Sequence, residues 1–154
     1  MEEQEYRDTY HTINKRRCIF EKTISSRRCT CMKSLRFHLA DREGIACKSA
    51  TGNALCSELL TSMRRKARFA LHLTHADAPL PHAKEIKVQT GGLLGLQALL
   101  HPDKAGSQNI DNAIGLVDEA IQHFGSLEAL PYDGIIQSIV KFEGRRKRTR
   151  ASDS

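Results

Sequence analysis

Apolar residues recur at the 3.6-residue period of an α-helix in three separate stretches, and this periodicity most restricts the architecture open to the chain. From Asn53, residues Leu55, Leu59, Leu60, Met63, Ala67, Ala70 and Leu71 fall on one side of a helix, with Arg64, Arg65 and Arg68 opposite. Asn53 itself suits the N-cap. A second amphipathic helix is marked by Ile110, Ala113, Ile114, Val117, Ile121 and Phe124, with Gly125 as its C-terminal stop. Pro131 suits the first turn of a third, whose packing face is Ile135, Ile136, Ile139 and Val140. The opening residues to about Arg17 carry a thinner stripe of Tyr6, Tyr10 and Ile13.

Pro79 and Pro81 exclude a regular helix between Thr74 and His82 and place a connector there. Beyond it, Glu85 to Gln89 reads as a short extended piece. Gly92 to Leu100 reads as a short buried helix, ended by His101-Pro102. The run Gly91-Gly92-Leu93-Leu94-Gly95 lacks both the Lys-Ser/Thr ending of a phosphate loop and the spacing of a dinucleotide fingerprint, so a helix start with close helix packing explains it. The expected fold is mainly α: a small helical bundle with an irregular Cys-bearing N-terminal region.

Charge divides the chain in a related way. Residues 1–75 hold 15 Lys/Arg against 8 Asp/Glu, residues 76–140 hold 3 against 8, and residues 141–154 hold 6 against 2. These counts suggest a basic, cysteine-bearing helical region over 1–75, an acidic helical region over 76–144 packed on it, and a basic disordered tail over 145–154. A chain of 154 residues can bury a core without crosslinks or metal. Its longest nearly apolar stretch, Gly91 to Leu100, is about half of the roughly 20 residues a membrane-crossing helix needs, so no membrane association is expected. The acidic opening Met1-Glu2-Glu3-Gln4-Glu5 is unlike a secretory signal, and the cytoplasm is the expected compartment.

In that compartment thiols stay reduced, which changes the reading of five cysteines confined to residues 18–56. Their order is Cys18-x10-Cys29-x-Cys31-x15-Cys47-x8-Cys56. Thiolate sulfur is a soft donor, and four such ligands complete a tetrahedral zinc or a four-iron cluster. Structural zinc sites favour paired Cys-x2-4-Cys knuckles, whereas the one close pair here, Cys29 and Cys31, is separated by a single residue. An iron–sulfur cluster is therefore preferred, with zinc as the alternative. The expected ligands are Cys29, Cys31, Cys47 and Cys56. Cys18, the most distant in sequence, is the alternate. Arg27, Arg28, Lys33 and Arg36 surround the close pair and would offset the charge of thiolates.

Other readings compete. Free cysteine packs well as a small hydrophobe, and Cys56 falls on the apolar face of the Asn53 helix. A reversible Cys29–Cys31 disulfide would be strained and easily reduced. His72, His75 and His82 could supplement a metal site, but such histidines more often cap helices or lie in solvent. No catalytic signature is found, so an enzyme is the third choice. The second is a helical adaptor that uses Arg64, Arg65, Arg68 and the tail residues Arg145, Arg146, Lys147 and Arg148 on an acidic protein or, without sequence preference, on nucleic acid. The leading expectation is a small cytoplasmic metal-binding protein serving electron transfer, redox sensing or assembly with an unknown protein partner.

Overall fold

Ser49, not Asn53, opens the longest helix of the first half. Its hydroxyl accepts the amide hydrogen of Gly52 at 2.9 Å, satisfying one of the donors that a helix leaves open at its start. Asn53 instead donates its side-chain amide to the Arg17 carbonyl. The computed structural model describes residues 2–73 and 80–143. Six α-helices and one hairpin order these residues as α1 (Glu3–Ile13), α2 (Glu21–Ser25), β1 (Ser34–Leu39), β2 (Arg42–Cys47), α3 (Ala50–Ala67), α4 (His82–Leu100), α5 (Ala113–Phe124) and α6 (Tyr132–Lys141). The chain is mainly α. Among the described residues no helix is long and apolar enough to cross a membrane.

The cysteine-bearing region is more regular than expected. Ser34 to Leu39 and Arg42 to Cys47 pair antiparallel, in the register Ser34 with Cys47 and Leu39 with Arg42. The two turn residues, Ala40 and Asp41, both have positive φ (50° and 67°), which is the primed geometry that matches strand twist. Gly44 is required opposite Phe37, because a Cβ there would lie 2.3 Å from the ring.

The second half also departs from its expected elements. Glu85 to Gln89 is helical, and the glycines lie inside one continuous α4 that starts at His82. Gly91 and Gly95 face α6 so closely that a Cβ on Gly91 would stand 2.8 Å from the Ile139 Cα, and one on Gly95 2.8 Å from the Ser138 Cβ. Backbone approach, not turn geometry, explains both. Helix α5 begins at Ala113, because Ile110 spends its backbone on the cysteine loop: its amide donates to the Arg28 carbonyl and its carbonyl accepts from Thr30. Gly125, at φ 91°, ends α5 as expected. Helix α1 stops at Ile13 and α3 at Ala67, short of Arg17 and Leu71. Leu59, Leu60, Met63, Val88, Leu93, Leu96, Val117, Ile135 and Ile139 form the centre of the core.

Gly91→Ala should therefore lower unfolding free energy by about 1–3 kcal/mol through overpacking. Gly134→Ala, whose Cβ would meet only Leu99 at 3.6 Å, should leave it unchanged or raise it. Urea denaturation of the two variants checks this.

Candidate metal centre

Four of the five cysteines come together. Cys18, Cys31, Cys47 and Cys56 line a single cavity of about 20 Å³, closed on its other sides mainly by Ile19, Phe20, Ala113 and Ile114. Each thiol arrives on a different segment. Cys18 lies on an extended piece that runs alongside β2: its amide donates to the Ile45 carbonyl at 2.9 Å, the Cys47 amide donates to the Arg16 carbonyl at 2.8 Å, and Arg17 bridges Ala46. Cys18 and Cys47 are thus diagonal neighbours on one face of a ladder. Cys31 sits in the turn before β1, where both the amide and the hydroxyl of Ser34 donate to its carbonyl. Cys56 is presented by α3 and is buried beside Leu59 and Leu60.

Cys29 is placed differently. It is 2% exposed within the hydrophobic core, its thiol donates to the Thr30 carbonyl at 3.2 Å, and it does not line the cavity. Cys18, set aside in sequence for its distance from the others, is brought to the cavity wall by the ladder to β2. A separation of 29 residues between Arg17 and Ala46 disappears when the two segments pair.

Burial dominates the chemistry of these thiols. It pushes Cys18 and Cys56 up to about 12, and neighbouring thiols add to the shift: Cys31 and Cys47 on Cys18, and Cys18, Cys31 and Cys47 on Cys56. Cys29 is raised by the same cause. Removing these protons at neutral pH needs a compensating positive charge within the cavity, which a metal ion or cluster iron supplies. Among the described residues no group of three or more His, Cys, Asp or Glu is arranged to hold a metal ion.

Cys18 and Ile19 also wall a second cleft of about 250 Å³. Arg64 lines it and forms an ion pair with Glu85, the two side chains only 13% and 2% exposed. Arg64 is thus withdrawn from the basic surface stripe expected of it, while Arg65 and Arg68 are exposed. Removing one partner of such a pair costs about 3–5 kcal/mol, because the other charge is left buried. Arg145, Arg146, Lys147 and Arg148 lie outside the described residues, as does His75. His82 meets Lys22 at 2.8 Å, and neither it nor His72 lines the cysteine cavity. No family model, curated protein or solved structure matches the chain.

In metal-free protein at pH 7, iodoacetamide should label Cys31 and Cys47 first and Cys29 last, read by peptide mass spectrometry. Because the thiolate is the nucleophile, labelling of Cys18 should still climb about tenfold per pH unit between pH 9 and 10, where an ordinary thiol of pKa about 8.5 levels off.

Proposed function

We propose that this chain carries a thiolate-held metal centre, an iron–sulfur cluster ahead of zinc, in a small cytoplasmic protein that serves electron transfer, redox sensing or cluster assembly. The observation that carries this reading is the convergence of Cys18, Cys31, Cys47 and Cys56, from four separate segments, on one cavity. Core packing alone gives cysteines no reason to face one another, since any small apolar side chain would fill the space. Four thiols are the donor set of both centres.

Within this reading Cys18, Cys31, Cys47 and Cys56 are the ligands and Cys29 is the spare, a core residue. The absence of paired Cys-x2-4-Cys knuckles and the wide gaps between ligands favour a cluster, which spreads its thiolates over several irons. A bound cluster would supply one-electron chemistry. The residues of the chain set its surroundings: Ile19, Phe20 and Ile114 keep the site apolar, and Lys33 lies against it with a positive charge that offsets the thiolates.

Anaerobic purification followed by elemental analysis for iron, zinc and acid-labile sulfide tests the proposal. Iron with sulfide and broad visible absorption is the expected result, and zinc alone would select the other centre. Cys31→Ser and Cys47→Ser should each lower metal content at least about tenfold, beyond what loss of an outer partner does, whereas Cys29→Ser should retain most of it. Metal-free protein from an anaerobic, iron-replete culture would overturn the reading.

A further inference from the structure

Next to the cysteine cavity the surface is at once apolar and basic. Met32 is 67% exposed and Leu35 54%, although both are large hydrophobes in a chain with few of them outside the core. Met32, Lys33 and Leu35 follow Cys31 within four residues at the entry to β1, and all three are exposed. One register step beyond Ser34 and Cys47, the Lys48 amide donates to the Lys33 carbonyl at 2.8 Å. Lys33 and Lys48 therefore stand side by side where the hairpin opens, next to Met32 in the chain.

The pairing of the surrounding cations is selective. Arg17 has Glu21, Arg27 and Arg36 share Glu43, and Arg42 has Glu3. Among the described residues, Arg16, Lys33 and Lys48 have no carboxylate partner: Lys33 lines the cavity, Lys48 follows Cys47, and the Arg16 guanidinium reaches the Cys47 carbonyl at 3.3 Å. Like charges held side by side repel each other, so the fold gains nothing from this arrangement.

We infer that this face docks an acidic protein surface with an apolar centre, and so brings a partner to the cysteine centre. Carboxylates relieve the repulsion between Lys33 and Lys48, while Met32 and Leu35 supply the desolvated middle that protein interfaces concentrate. A phosphate backbone would reward the lysines but leave Met32 and Leu35 uncovered. The inference rests on the metal reading only for its choice of partner, an acidic electron carrier.

The test uses the full-length protein and three probes: a flavodoxin, a plant-type ferredoxin and a short DNA duplex. Binding to at least one acidic carrier, weakening with added salt, is expected. Lys33→Glu with Lys48→Glu should weaken it at least about tenfold. Met32→Ser with Leu35→Ser should weaken it several-fold even at high salt, and the remote pair Arg68→Glu with Lys141→Glu should change it less than about twofold. All six positions are exposed, and circular dichroism confirms folding. Failure of both carriers to bind overturns the inference, as does equal weakening by the remote pair. Tighter binding of the duplex through Lys33 and Lys48 assigns the face to nucleic acid instead. Metal is measured in the same samples: face-dependent binding by metal-free protein sinks the metal reading alone, and metal without binding sinks the docking face alone.

Discussion

The carboxylate of Glu21 ties together the parts of the first half that no continuous core could align. One oxygen accepts the Tyr10 hydroxyl and the Ile45 amide, and the other accepts the Arg17 guanidinium. Helix α1, the extended piece before α2, and strand β2 therefore meet at one buried anion. Asn14 completes the node, its amide reaching the Tyr10 hydroxyl and the Ile45 carbonyl. The carboxylate in turn makes Tyr10 a harder group to ionise, after burial itself, so the phenol remains a donor across the physiological range. Cys18 and Cys47 inherit their places from this node, since the bonds that seat them flank Ile45 and Ala46.

The two halves of opposite charge meet through specific polar contacts as well as through apolar burial. The Thr23 and Thr90 hydroxyls bond at 2.9 Å between α2 and α4, and Arg64 reaches Glu85 between α3 and α4. Polar groups buried in such positions penalise any packing that leaves them unpaired, so they fix how the helices sit more than how strongly they hold. Gly91 and Gly95 act in the same direction by admitting α6 at a distance that larger residues forbid. Cys29 belongs to this structural group, carried into the core by its bridge to Ile110.

Legibility in the sequence followed how local each determinant is. Helix α5 and its Gly125 stop were readable, because period and cap are written within a dozen residues. Helix α3 was readable apart from its cap and its C-terminal end. The alternation in Leu35, Phe37 and Leu39 was a strand signal, yet the turn that closes the hairpin is Ala40-Asp41, without the glycine or asparagine that usually marks positive φ. Helix α4 was divided because glycines and a Gln-Thr pair resemble a break, and only the presence of α6 makes them favourable. Of the candidate ligands, Cys31, Cys47 and Cys56 were placed on composition alone. That Cys18 and not Cys29 reaches the cavity depends on a strand pairing that sequence distance conceals.

That pairing gives the four thiols unequal freedom. Cys18 and Cys47 hang from one hydrogen-bonded ladder, so their separation is a property of backbone geometry. Cys31 sits in a turn and Cys56 on a helix, so the place of each is set by its own element. A change in the ladder would therefore move Cys18 and Cys47 together, whereas a change in the turn or in α3 would move Cys31 or Cys56 alone.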